Sequence, residues 1–360
     1  MLIPPLQFHF GTNFTITFYR ICGCLLVICF VYNFFNPVSQ VVTTKFDKSY
    51  LNFAFRKKHI TSVMSAKSRL GNHIFELAAT LGISKSIGRT PVFYIQNLSY
   101  MKMLKETNET IPGLIDQFTI RYEEFPRNNR ITTFNTRCCI YQDPDILKNI
   151  DDDLIILNGH YYQSPKYFPE MREILRSYLK TPENEFRNLP KSTESNFINC
   201  VHVRRGDFAR YDFHVSEPEF IKKALTYIEK QVAVHGKHVN TVLFGDDLQF
   251  MRQLIGNATE LLMKTKQEIF TFISQNSPTA DLLYAAHHCD SVFITAAHST
   301  FGWWMGYFSK GDKVYYTDIR ATNDSRYLQG EINPVDYYLP HWTPLKFDNL
   351  VGMNIVESKY

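Results

Sequence analysis

The pattern of apolar positions changes character along the chain. Residues 21–35 (ICGCLLVICFVYNFF) are apolar apart from Asn33, with Arg20 before them and Asn36-Pro37 after. With Val38 included, the run approaches the ~17–25 residues that a bilayer crossing needs. It begins well inside the chain rather than behind a short basic leader, and residues 38–40 make a poor cleavage site. An uncleaved anchor is therefore expected over 21–38 rather than a signal peptide. Beyond it, strand-like and helix-like patterns alternate. Residues 60–65 have strand character, Ile74, Leu77, Ala78 and Leu81 recur at helical spacing, Gly88 is placed to end that helix, and 91–95 reads as the next strand. The stretch 96–150 is less regular and predicts small helices and loops. Residues 154–157 (LIIL) read as a buried strand and 167–179 as a helix. Residues 181–195 are polar, contain Pro182 and Pro190, and mark a boundary. After it, strands at 197–203, 242–244, 268–272, 292–295 and 314–317 alternate with helices at 216–233, 248–255, 279–287 and 301–308, the first opened by a capping box from Ser216 to Glu219. Such alternation predicts parallel sheets with helices on both faces. The expected division is a tail over 1–20, the anchor over 21–38, a stem over 39–58, an α/β domain over 59–180 and a second over 195–345.

Of the 360 residues, 44% are hydrophobic and 15% aromatic, enough apolar material for a large core, and the length suits two domains of ordinary size or one long one. The net charge of +4 carries no basic stripe, and Arg56-Lys57-Lys58 is the only tight cluster. That weighs against a nucleic-acid partner. Cys22, Cys24 and Cys29 lie in the apolar run; Cys138, Cys139, Cys200 and Cys289 lie in the body without C-x-x-C or zinc spacing. Free thiols and one or two disulfides remain equal alternatives, with the pairing open. Acceptor sequons for N-glycosylation occur at Asn97, Asn108, Asn257 and Asn323, all beyond the apolar run, with a further match at Asn13 before it. A short cytoplasmic tail and a lumenal body fit them best.

Candidate chemistry sits at strand ends, where open α/β sheets bind ligands. The strand 197–203 runs into Arg204-Arg205-Gly206-Asp207, with His202 on the same strand face as Arg204. Two guanidiniums beside a glycine suit a multiply charged phosphate, although such a pair also serves to bridge acidic residues. Directly after a buried strand, Arg205-Gly206-Asp207 is no adhesion loop. Asp246, after the strand 242–244, suits a guanine edge, a sugar hydroxyl or an arginine, or else helps to start the next helix. Ser299 and Thr300 open the helix 301–308 and form an anion site with its free amides, with Phe301 placed to lie against a base. Trp303 and Trp304 read as core. Arg69 and Asn72 reach toward this region from the first half. Asp151-Asp152-Asp153 resembles a manganese-binding D-x-D but stands at the amino end of its strand, which favours a solvated turn. His287-His288-Cys289 has no partner cluster. No metal site is assigned. The chain contains no P-loop, no G-x-G-x-x-G after a first strand and no G-x-S-x-G elbow.

Four stretches carry a family resemblance. Residues 201–207 (VHVRRGD) resemble the H-x-R-R-G-D motif of the α-1,2-fucosyltransferases, glycosyltransferase family 11. Residues 70–75 (LGNHIF) resemble that family's G-x-L-G-N-Q-x-F loop, residues 157–168 (LNGHYYQSPKYF) its G-Y-F-Q-S-x-K-Y-F stretch, and residues 299–304 (STFGWW) its S-[ST]-F-x-W-W segment. The four stand in the family's order. The chain departs from it at Ser68, where glycine is usual, and at His73, where glutamine is usual. The resemblance implies a GT-B-like fold, two Rossmann-type domains facing a cleft, preceded by an N-terminal transmembrane helix. It implies a single-pass type II Golgi membrane protein with a lumenal catalytic body. It also implies GDP-fucose as donor, inversion without a metal, and transfer to glycans of glycoproteins or glycolipids, most simply to O-2 of a terminal galactose. The arginine matching Arg204 holds the donor diphosphate. His202, Arg205, Asp246, Ser299, Thr300, Phe301, Arg69 and Asn72 are the further donor-binding candidates. Asp207 and Asp212 stand near enough in sequence to be catalytic, although Asp207 is equally suited to anchoring Arg205. The alternatives are a fucosyltransferase acting on another acceptor, such as a protein hydroxyl, and an inactive lumenal glycan-binding protein.

Overall fold

The computed structural model describes residues 57–126, 128–182, 186–187, 189–232, 237–262, 270–348 and 353–359. Residues 57–360 make one compact unit. The first sheet contains β1 (His59–Ser62), β2 (Thr90–Tyr94), β3 (Thr119–Arg121), β4 (Ile131–Thr133) and β5 (Leu154–Asn158), in the order β3-β2-β1-β5-β4. All of its pairs are parallel. The second contains β6 (Asn196–Val203), β7 (His238–Gly245), β8 (Phe270–Ile273), β9 (Ser291–Ile294), β10 (Lys313–Thr317), β11 (Thr343–Phe347) and β12 (Ile355–Glu357), in the order β12-β11-β10-β9-β6-β7-β8. Only β12 runs antiparallel to its neighbour. Successive residues of β5 and β6 are buried, as expected of parallel strands covered on both faces. The longer helices are α1 (Leu70–Ser86), α2 (Leu98–Thr110), α3 (Pro218–Val232), α4 (Leu248–Leu262), α5 (Pro278–His288) and α6 (Thr300–Phe308).

The two sheets share one core. A single buried cluster includes Ile60, Phe93 and Ile155 from the first sheet and Val242, Ile294 and Tyr316 from the second. Its densest part is the joint between α1 and α6. The Phe75 ring lies 4.5 Å from Trp303 and 4.8 Å from Trp304, and Trp304 Nε1 donates to the Gly71 carbonyl at 2.9 Å. Trp303 Nε1 donates to the Tyr337 carbonyl at 2.8 Å, so neither buried indole N–H is left unpaired. Glycine is needed at the crossing: a Cβ on Gly71 would stand 2.9 Å from the Phe301 nitrogen. A disulfide joins Cys200 on β6 to Cys289 at the end of α5, and Cys138 pairs with its neighbour Cys139.

Several expectations change. The N-terminal transmembrane helix is not supported: no helix among the described residues is long and apolar enough to cross a membrane. The segment read as the span, 21–38, lies outside the described residues, as do the tail, the stem through residue 56, and Cys22, Cys24 and Cys29. The helix expected over 167–179 is a 3-10 turn at Pro165–Tyr167 and a short helix at Arg172–Ser177, separated where Glu170 takes a positive φ of 57°. Ser216 was expected to cap α3. Its hydroxyl instead accepts the Arg204 N–H at 2.8 Å and bonds to Thr295 Oγ1. The irregular stretch contains α2, opened by the Asn97 side chain accepting from the Ser99 and Tyr100 N–H groups. The buried face of α2 consists of Tyr100, Met103, Thr107 and Thr110, half of it polar, which hid its period. Strands β3 and β4 each expose both end residues and offer no apolar run.

Gly71→Ala gains helix propensity of up to ~1 kcal/mol but drives a methyl into backbone that cannot rotate away. A net loss of about 1–3 kcal/mol is expected in denaturant unfolding. A midpoint at or above that of the wild type would mean that the joint is looser than described.

Candidate functional site

In the second sheet β6 lies between β7 and β9, so the chain order reverses on either side of β6. The carboxyl ends of these strands are where such a fold places a ligand. His202 lies in the buried part of β6, and burial first, then the Arg204 charge, lower its pKa to about 3. It is therefore neutral. Its ring packs 5.7 Å from Phe301, and a Cβ on Gly302 would stand 2.7 Å from its Nδ1, so glycine at 302 permits the close approach of α6 to β6.

Arg204 is the centre of a charge cluster. Its guanidinium is paired with Asp207 at 2.5 Å and with Asp246 at 3.1 Å, and it lies 5.0 Å over the Phe208 ring. Its Nε is buried and has no hydrogen-bond partner among the described residues. Arg69 reaches over from the first half to pair with Asp207 at 3.0 Å. Arg205 lies 4.3 Å over the Phe250 ring, donates to the Ser216 carbonyl at 2.6 Å and stands 3.5 Å from Asp247. The Asp246 carboxylate also accepts the Arg205 N–H at 3.0 Å. Three guanidiniums thus meet three carboxylates, which hold them in place without satisfying every N–H.

The second group is the α1–α6 joint. Asn72 Oδ1 accepts from Thr300 Oγ1 at 2.9 Å and from Gln163 Nε2 at 3.0 Å. Ser299 is the buried residue that precedes α6, and its side chain does not cap the helix. Asp212 stands apart: it is exposed, takes a positive φ of 53°, and accepts the Ser325 N–H through its main-chain carbonyl. Asn97, Asn108 and Asn323 are exposed, and the Asn257 side chain lies outside the described residues. At the opposite end of β5, Asp151 pairs with Lys58 at 2.6 Å while Arg89 takes the Asp152 carbonyl, which makes a closed turn of the acidic triplet.

Residue-by-residue reading missed three features. His298 pairs with the fully buried Asp324 at 2.7 Å and stacks on Phe208 at 4.9 Å, so Phe208 touches both Arg204 and His298. Burial pushes the Asp324 carboxyl up, but hydrogen bonds led by His298 outweigh it and hold it below the usual range. Gln163 was visible only as part of a motif. Glu76, fully buried on α1, accepts the Ser65 N–H with both oxygens, at 2.9 and 3.1 Å. A lone glutamate on an apolar helix face gave no sign of this.

The frame is parallel α/β, with a cluster of paired arginines and aspartates at its strand ends. Residues 30–346 match the family described as "Glycosyl transferase family 11". The chain belongs to that family and is a glycosyltransferase. It is 40% identical to a Caenorhabditis elegans protein named "Putative galactoside 2-alpha-L-fucosyltransferase svh-11", over 98% of this chain and 99% of that one. It is 32% identical to a C. elegans "Galactoside 2-alpha-L-fucosyltransferase" over 81% of this chain and 77% of that one. It is 26% identical to "Galactoside 2-alpha-L-fucosyltransferase Sec1" of Mus musculus, over 81% and 77%. Among solved structures, a universal stress protein from Archaeoglobus fulgidus covers 65% of this chain and 86% of its own at a TM-score of 0.19 and 13% identity, too low to inform the fold.

Burial, partly offset by the Ser65 N–H, raises the Glu76 pKa from 4.5 to about 8. The native carboxyl therefore keeps a proton that the unfolded chain releases. This contribution to stability is fully present below about 4.5 and is lost as pH rises toward about 8. Wild-type stability relative to Glu76→Gln should fall across that interval, by up to ~1.4 kcal/mol per pH unit. Parallel unfolding profiles for the two proteins would refute the assignment.

Proposed function

We propose that this glycosyltransferase moves L-fucose from GDP-fucose to O-2 of a terminal galactose, with inversion and without a metal. The observation that carries the reading is the convergence of Arg204, Arg69 and the amino end of α6 at the strand ends of a family 11 chain. The names of the relatives support the sugar and the linkage.

In this reading the bond between the fucose anomeric carbon and the β-phosphate oxygen breaks. The acceptor oxygen bonds to that carbon from the opposite face, its proton passes to a base, and GDP leaves with the electron pair. Charge grows on the β-phosphate, and in this proposal the Arg204 guanidinium is the cation that meets it. Asp207 and Asp246 fix the guanidinium plane, which lowers the reorganisation needed when charge develops. Ser299 and the first amides of α6 hold further phosphate oxygens, and Phe301 beside neutral His202 borders the nucleotide. Thr300 uses its hydroxyl on Asn72, which gives it a structural share in the joint. Held by two guanidiniums, Asp207 orients them rather than taking the proton, and the base stays unassigned. A Golgi-lumenal location is part of the proposal, supported by exposed sequons at Asn108 and Asn323 and by the Cys200–Cys289 disulfide.

The purified full-length chain, given radiolabelled GDP-fucose and galactose-terminated glycans in excess chelator, should transfer label to galactose O-2. Absence of transfer from folded protein would sink this reading, and transfer that needs an added metal would remove its metal-free part. Arg204→Lys keeps the charge but loses the planar fork. Its kcat should fall by ~10²–10³. Near-normal turnover would take Arg204 out of the leaving-group role.

A further inference from the structure

The loop from β1 to α1 has two ends with different tasks. Arg69 pairs with Asp207 in the charge cluster at 3.0 Å. The residues just before it line a cavity of about 450 Å³, bounded by Ser65, Lys67, Ser68, Asn97, Tyr100 and Tyr161. That volume falls within the ~300–1,000 Å³ typical of small-molecule sites. The lining combines hydroxyls, an amide and two tyrosine rings, the chemistry that grips a sugar: polar groups for its hydroxyls and a flat ring for its C–H face.

Three observations make this a built site. The Ser68 hydroxyl oxygen is buried and has no hydrogen-bond partner among the described residues. Beneath the lining, His73 is 1% exposed and sits beside the Ser65 backbone; neither ring nitrogen has a hydrogen-bond partner among the described residues, and Nδ1 stands 3.8 Å from the Glu106 carboxylate. The floor is fixed from below by Glu76 on the Ser65 N–H and by Tyr100, whose hydroxyl donates to the Met64 carbonyl at 3.0 Å. Tyr161, another lining residue, takes a positive φ of 60°, a conformation uncommon outside glycine that costs roughly 1–3 kcal/mol. Ser68 and His73 are also the two positions at which this stretch departs from the family pattern of glycine and glutamine. Ser68 lines the cavity, and His73 lies beneath its Ser65 floor.

We infer that this cavity is the subsite for the acceptor glycan and that Ser68 and His73 set which glycan it takes. The inference rests on the fucosyl-transfer reading. Ser68 contacts the sugar directly; His73 is a positioning residue that sets the height and rigidity of the Ser65 floor. A glycine at 68 would remove one hydroxyl, and a glutamine at 73 would support the floor through a longer, more flexible amide.

The test uses the full-length chain as wild type, Ser68→Gly, His73→Gln, the double variant and Ser68→Trp, which fills the cavity from a loop position where folding is easily preserved. Acceptor and donor KM are measured over β-galactosides that differ in the penultimate sugar. Saturation-transfer NMR with N-acetyllactosamine reports glycan binding without turnover. Ser68→Trp should raise acceptor KM about tenfold or more and abolish the NMR signal. The double variant should reorder acceptor preference, with donor KM within about twofold of wild type throughout. Unchanged acceptor KM and preference, or an NMR signal that survives Ser68→Trp, would overturn the inference. If the wild type transfers fucose to no acceptor, the fucosyl-transfer reading fails and NMR alone judges the cavity: a signal lost in Ser68→Trp supports a glycan subsite, and a signal kept or never present overturns it.

Discussion

The close approach of α1 to α6 is the constraint on which the rest depends. It requires Gly71, because any side chain there would meet the backbone at Thr300 and Phe301. Once the helices touch, Trp304 can reach the Gly71 carbonyl, Phe75 can fill the space between the two tryptophans, and Asn72 can collect hydrogen bonds from Thr300 and Gln163. The two sheets then share one core. The same contact sets the position of the β1–α1 loop and brings Arg69 within ion-pair distance of Asp207.

Charge at the site follows from this packing. Arg204 emerges from a buried strand and is only 12% exposed. A partly buried guanidinium without counter-ions would be costly, and Asp207 and Asp246 supply them. Asp207 does so from both sides, since Arg69 shares it. Asp207, which looks catalytic in a linear reading, is thereby occupied in pairing with cations. Not every N–H of the cluster is satisfied by these carboxylates: the buried Arg204 Nε has no hydrogen-bond partner among the described residues.

A single loop connects the proposed donor and acceptor regions. One residue separates Ser68, at the cavity, from Leu70, where α1 begins, and that residue is Arg69. The buried carboxyl of Glu76, which fixes Ser65 with both oxygens, limits movement of this loop.

Much of this was legible in the sequence. The alternation of apolar strands with 3.6-period helices determined an α/β fold with parallel strands, because buried parallel strands must be apolar on both faces. The four motifs marked most of the residues that meet at the joint and in the charge cluster. Elements with little buried surface, α2, β3 and β4, left no periodic trace. Tertiary structure alone decided who pairs with whom: that Asp207 serves Arg204 and Arg69 rather than Arg205, that Asp246 closes on Arg204, that Asp212 stands aside, and that Cys200 meets Cys289. It alone revealed Glu76, the His298–Asp324 pair and the cavity beside Ser68. Each of these depends on distances between residues far apart in the chain, and a linear pattern records spacing along the backbone but not proximity across the core.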